Sequence, residues 1–183
     1  GGNFIGGYLS GCLPKKAGSF VKDLRENKKE VCYFLSGLDV EADFITDHSV
    51  LDSLKSSSLI AFTSFKSAVD KYADVIFPVS SCFESEGSYI NMEGRLQIST
   101  QVVEPPGNSK ELWRVLRVLS SVLGLKDLDF DSLEELRQKV LPDINAGEVA
   151  KIDSVKIDKD YADFKLNGSL QNSDMQLFHF FPI

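Results

Sequence analysis

The chain has 183 residues, 43% of them hydrophobic and 26% charged, with a formal net charge of −7 and a pI near 4.9. That composition belongs to a soluble globular domain with a tail, and its acidic balance excludes tight nucleic-acid binding, because phosphate contacts need a basic surface. No run approaches the roughly 18 consecutive apolar residues of a membrane span, and no signal peptide is visible.

In chain order, residues 1–18 are rich in glycine and carry Pro14, which predicts a loop that a longer protein would connect to something upstream. With no initiator Met and an apolar ending, LFHFFPI, the chain reads as an excised fragment. Phe20, Val21 and Leu24 lie at helical spacing and predict a short helix over 19–29. Val31 to Leu35 predicts a buried strand, ended by Ser36-Gly37. Val50, Leu51 and Leu54 fall on one face of a helix over 47–55, Leu59 to Thr63 is a second strand, and 64–72 is a third helical stretch. Val75, Ile76 and Phe77, interrupted by Pro78, suit the end of a strand buried on both faces. Strand, helix, strand, helix, strand is the pattern of a parallel sheet with right-handed crossovers. The predicted fold class is therefore α/β, with a Rossmann-like three-layer parallel sheet and flanking helices over 19–143.

Between Glu84 and Arg95 the chain turns polar, with Tyr89 and Ile90 between two glycines that permit positive φ. This is a shaped loop with two readings. Loops leaving the carboxyl ends of strands in open α/β sheets bind ligands, whereas Asn91, Glu93 and Arg95 can equally hydrogen-bond the loop to its own backbone. Pro105-Pro106-Gly107 forces a turn, after which Asn108 or Ser109 can cap a helix running to Leu123 and ended by Gly124. Leu112, Val115, Leu116, Leu119, Val122 and Leu123 form its apolar stripe, with Trp113, Arg114 and Arg117 off it. Trp113, the sole tryptophan, can anchor a partner or simply cover the sheet. Ser132 and Glu135 form a capping box for a second helix that ends before Pro142. Residues 144–183 change to short apolar pieces broken by Gly, Asn, Asp and Ser, which predicts an irregular appendage, with Leu177–Ile183 a strand lacking its partner.

Catalytic constellations are thin. Cys12, Cys32 and Cys82 match no zinc or iron-sulphur spacing; they predict buried, reduced thiols in a reducing compartment. His48 and His179 have no Ser, Cys or metal partner at a recognisable spacing. Glu84 and Glu86 point apart in an extended loop, so no acid-base pair is assigned. A dinucleotide fingerprint needs Gly-x-Gly-x-x-Gly between a strand and a helix, but only Gly37 follows the strand at Val31. Asp39, just beyond it, reads as a surface turn or, less simply, a cleft residue.

The ordered blocks ADVIFP at 73–78, EGSYINMEGRLQ at 86–97 and VEPPG at 103–107 resemble the signature of the molybdopterin oxidoreductase superfamily. The resemblance is closest to its version in the large iron-sulphur subunit, the G subunit, of proton-pumping NADH:quinone oxidoreductase, respiratory complex I. Asn3, Gly6, Gly11 and Pro14 agree with that family's opening, while Leu9 stands where it usually carries Asp. The segment SKELWRVLRVLSSVLGL is similar to its helix after the Pro-Pro-Gly turn, so the resemblance spans about residues 1–125 in blocks. It implies a module of the peripheral arm that keeps the fold as scaffold, with no catalytic residue, no metal ligand and no pterin. Iron-sulphur clusters would sit in a preceding part of the parent, which passes electrons from NADH to quinone. Other peripheral-arm subunits would be the partners, on the cytoplasmic face of a bacterial inner membrane or the mitochondrial matrix side, with no span of its own. The alternative is a piece of an active molybdopterin-dependent oxidoreductase such as a formate dehydrogenase, in which Gly87, Tyr89, Asn91, Glu93 and Arg95 would help hold the cofactor. A stand-alone nucleotide-binding regulator is a third reading.

Overall fold

The computed structural model describes residues 3–12, 24, 31–44, 48–126, 128–142, 144–145 and 147–148. The glycine-rich opening is not a loop throughout: Phe4–Leu9 forms a short helix, α1. It ends in a Schellman arrangement, Cys12 N–H to Gly7 carbonyl at 2.9 Å and Gly11 N–H to Tyr8 carbonyl at 3.1 Å, which needs the positive φ of Gly11.

Period-two alternation sorts the first strand into two faces: in β1 (Cys32–Ser36), Tyr33 and Leu35 are buried while Cys32 and Phe34 are exposed. The central strand β2 (Ser58–Thr63) pairs in parallel with β1 on one side and with β3 (Val75–Pro78) on the other. Tyr33, Leu35, Leu59 and Ala61 face a core that includes Val40 of α2 (Val40–Asp43) and Val50 and Leu54 of α3 (His48–Lys55). Val69, from a 3-10 turn at Ala68–Lys71, joins this core with Tyr72 and Leu24. Each Leu or Val so buried contributes about 1.5–3 kcal/mol relative to exposure. On the opposite face the rings of Phe34 and Phe62 stack at 6.0 Å and those of Phe62 and Phe77 at 5.4 Å, an aromatic ladder across all three strands. The result is a mixed α/β fold: a three-stranded parallel sheet with flanking helices.

Several expectations change. The strand at Val75 is not buried on both faces: Val75 is 44% and Ile76 40% exposed, and these neighbours point to opposite faces; β3 is also an edge, with one hydrogen-bonded neighbour strand among the described residues. Besides its pairing with β2, Asp74 pins its start: the carboxylate accepts from the Leu59 N–H at 2.8 Å while its own N–H donates to the Leu59 carbonyl at 2.8 Å. All three cysteines are exposed and free rather than buried, Cys32 because its register puts it on the face opposite Tyr33. The stretch over 64–72 forms only the single 3-10 turn: Thr63 Oγ1 accepts from the Phe65 N–H, a local bond that competes with helix before it, and Ser67 Oγ caps the turn by accepting from the Val69 N–H. Of the helix anticipated over 19–29, Leu24 alone lies among the described residues, helical and fully buried. Asp39 proves to be a helix cap, its carboxylate accepting from the Ala42 N–H at 3.2 Å.

The polar loop is a β-hairpin, β4 (Gly87–Ile90) antiparallel to β5 (Leu96–Ser99). Ile90 and Leu96 of the hairpin make a second small core with Leu141, flanked by Ile5, Leu9, Val140 and Ile144. The helix after the Pro-Pro-Gly turn is α4 (Leu112–Val122), and neither Asn108 nor Ser109 caps it: the chain reaches its first helical residue only at Leu112, and the Ser109 hydroxyl donates instead to the Pro106 carbonyl at 2.7 Å. Gly124, at φ 68, does end it. The last helix, α5 (Leu133–Val140), is capped as anticipated by Ser132 Oγ on the Glu135 N–H, but Glu135 returns its bond to the Asp131 N–H, one residue earlier than the box predicts. Of the appendage, Ile144, Asn145, Gly147 and Glu148 alone are described; the Leu177–Ile183 strand and His179 lie outside the described residues.

Candidate functional site

Gly87, Tyr89, Asn91, Glu93 and Arg95 all fall on one hairpin. Asn91 opens its turn, and Asn91 Oδ1 accepts from both the Glu93 and Arg95 N–H groups at 3.0 Å each. The turn closes through Gly94, buried at φ 84, whose N–H donates to the Asn91 carbonyl at 2.9 Å. Arg95 reaches away from the turn, donating from Nη1 to the Gly147 carbonyl at 2.7 Å. Gly147, at φ 80, donates to the Leu96 carbonyl while Leu96 donates to the Glu148 carbonyl, a G1 bulge laid against the free side of β5. Glu93 is exposed at the tip, and Tyr89 is half-buried. Burial lifts the Tyr89 phenol above its ordinary value, with a smaller push from Cys82 and a partial offset from its bond with Ser99.

The other side of the hairpin is gripped by side chains. Asn3 is buried, its Oδ1 accepting from the Ile90 N–H at 2.8 Å and its Nδ2 donating to the Ser88 carbonyl at 3.3 Å. One carboxamide thus stands in for a neighbouring strand on the outer edge of β4. Arg137, 7% exposed on α5, donates from Nε to Ser88 Oγ and from Nη2 to Glu86, each at 2.8 Å, and its Nη1 bonds Glu134. Glu86 and Glu84 do diverge, as their spacing predicts: Glu84 accepts from the Ser81 N–H at 2.8 Å. Nothing in LEELRQKV marks Arg137 as a clamp, since an arginine in a polar helix reads as a solvated residue; its acceptors on the hairpin lie about 50 positions away in sequence. Asn3 carried a weak signal through the resemblance, but its partner did not.

A pterin-dithiolene group needs uncommitted donors and acceptors for its ring and cationic groups for its phosphate. On the hairpin, the Asn91 side-chain oxygen is engaged within the chain and Arg95 spends Nη1 on the Gly147 carbonyl, while Glu93 is exposed at the tip. Among the described residues no group of three or more His, Cys, Asp or Glu could hold a metal ion, and no helix is long and apolar enough to cross a membrane. Of the two histidines, His48 opens α3.

A family model for molybdopterin oxidoreductases matches residues 2–122, more than half of the chain. The chain is 41% identical over 69 residues to the NADH-ubiquinone oxidoreductase 75 kDa subunit of Reclinomonas americana, covering 38% of this chain and 10% of that protein. It is 36% identical over 95 residues to the G subunit of NADH-quinone oxidoreductase from Rickettsia conorii, covering 52% and 14%. It is also 29% identical over 131 residues to the G subunit from Rickettsia felis, covering 72% and 19%. The chain therefore spans between 10% and 19% of the length of these relatives. The matched residues run from just before Asn3, which clamps the hairpin, to the end of α4, and on that match this chain belongs to the molybdopterin oxidoreductase family.

Proposed function

We propose that this chain is a non-catalytic structural module of the peripheral arm of proton-pumping NADH:quinone oxidoreductase, part of the large iron-sulphur subunit of that complex. In this reading residues 19–143 keep the Rossmann-like three-layer architecture of a molybdopterin oxidoreductase, preceded by the opening segment 1–18 and followed by an appendage over 144–183. The module holds no pterin and no metal, contributes no catalytic residue, and serves as scaffold. The iron-sulphur clusters belong to a preceding part of the parent. Its partners are other subunits of the same arm, on the cytoplasmic face of a bacterial inner membrane or the mitochondrial matrix side.

The observation that carries the proposal is the commitment of the signature residues. Asn91 Oδ1 holds the hairpin's own turn, Arg95 Nη1 holds the bulge at Gly147 and Glu86 pairs with Arg137, so each makes a bond within the chain that supports a structural role. The similarity to the G subunits of NADH-quinone oxidoreductases supports the assignment to the complex. Elemental analysis of the full-length parent tests it: iron without stoichiometric molybdenum or tungsten is the expected result. One molybdenum or tungsten per chain would overturn the scaffold reading in favour of an active molybdopterin enzyme.

A further inference from the structure

Helix α4 buries the wrong residue for an amphipathic helix that has found all its partners. Its buried position is Ser120, while Val118 is 61%, Val122 78% and Leu123 56% exposed. Beyond its end Leu125 and Leu128 are exposed as well. Two adjoining cavities of about 330 and 550 Å³ run along this face and share Arg117, Ser120, Leu125 and Leu128. The first reaches from Phe34 on the sheet to Trp113 and Leu116 on α4, Phe130, and Leu136 on α5. The first is an apolar groove between the ladder face of the sheet and the two helices; the second continues it past the end of α4 with a mixed lining in which Val118, Val122 and Leu125 stand beside Ser121, Lys126 and Asp129.

The groove carries a polar requirement too. Trp113 Nε1 and Arg117 Nε are buried and have no hydrogen-bond partner among the described residues, and both residues line it, one helical turn apart. Such donors cost about 1–3 kcal/mol each when left unsatisfied, so they are retained where something supplies an acceptor. The Arg117 charge is already paired, through Nη2, with Asp131, so the wall carries two unanswered N–H donors, Trp113 Nε1 and Arg117 Nε, and is complementary to an apolar segment presenting a carbonyl oxygen. The matched stretch is between 10% and 19% of each relative's length, so most of such a polypeptide lies outside this chain.

We infer that the α4–α5 groove seats another part of the same longer polypeptide: an apolar helix or strand that presents a hydrogen-bond acceptor to Trp113 and Arg117. This rests on one half of the proposed function, that the chain is part of a longer polypeptide, and not on the absence of a pterin. The groove is then an internal packing face, and the exposed valines of α4 are the ridge that the docked segment covers.

Val122→Cys, made both in the 183-residue chain and in the full-length parent, tests this by maleimide alkylation mapped by mass spectrometry, with exposed Cys82 as the internal reference. Alkylation at position 122 is expected to be about tenfold or more slower in the full-length parent, as burial of a thiol requires. Adding Val118→Asp should restore the fast rate there and leave the melting temperature of the short chain unchanged. Equal rates in the two contexts would overturn the inference, as would a native polypeptide consisting of these residues alone. Protection already present in the short chain, accompanied by a dimer mass in light scattering and lost on dilution, would overturn it in favour of a second copy. Molybdenum in the full-length protein with position 122 protected removes the scaffold reading and leaves the docking face standing; fast alkylation without molybdenum does the reverse.

Discussion

A Cβ placed on Gly6 would lie 2.2 Å from Oδ1 of Asn3. The glycine in α1 is therefore what allows the Asn3 carboxamide to reach across to Ser88 and Ile90. Two residues that matter to the sequence signature are one structural unit.

From this follows a reversal of the usual rule for helical glycines. Gly→Ala inside a helix ordinarily stabilises by about 0.5–1 kcal/mol, but Gly6→Ala should destabilise by about 1–3 kcal/mol, the cost of leaving buried polar groups unpaired. Asn3→Ala should cost a similar amount, and the double variant little more than either alone, because both remove the same bonds. Urea denaturation of the four proteins measures this; simple additivity would show that the two residues act separately.

The Arg137 clamp predicts a graded series. Arg137→Met should cost about 1–3 kcal/mol, since Ser88 Oγ loses a buried partner. Glu86→Gln should cost less, about 1 kcal/mol or under, because Glu86 is 40% exposed and Arg137 keeps Glu134 and Ser88. Arg137→Lys should resemble Arg137→Met more than wild type, an ammonium being unable to reproduce the guanidinium fork. Chemical denaturation midpoints order the three.

Asn91 separates a turn-builder from a ligand. Asn91→Asp keeps an oxygen that accepts from the Glu93 and Arg95 N–H groups and should change stability by under about 0.5 kcal/mol, whereas Asn91→Ala should cost about 1–2 kcal/mol. Thermal melts of both variants decide it. Equal stability of all three proteins would remove the turn from the role assigned to Asn91.

Tyr89 gives a pH dependence with a definite sign. Its phenol is raised in the folded state, chiefly by burial, so the unfolded chain loses that proton first as pH climbs past the ordinary value of 10.0. Stability contributed by the neutral phenol is fully present below pH 10.0 and is lost as pH rises through the folded value. Tyr89→Phe should therefore differ from wild type in the slope of stability against pH above about 10, lacking the step that the shifted phenol adds. Denaturation at stepped alkaline pH reads it, and parallel curves would show that Tyr89 titrates as it does in the unfolded chain.

Apolar periodicity and turn residues were enough, without tertiary information, to anticipate the three strands of the parallel sheet, the helices at 48–55 and 133–140, the turn at Gly107 and the end of α4 at Gly124. These are local matters: side-chain alternation, caps and positive φ act within a few residues. Contacts across the chain decided the rest. Whether Val75–Pro78 is central or edge depends on how many strands flank it, and whether Cys32 is buried depends on what covers its face. The hairpin at 87–99 turns on local bonds of Asn91, but its outer side is held by Asn3, more than 80 positions earlier, and Arg137, about 50 later. Sequence spacing carries no record of such pairings, because the partners are brought together only by the folded backbone. The same holds for α4: its apolar stripe was readable from the residues, but the sheet and α5 leave much of that stripe open.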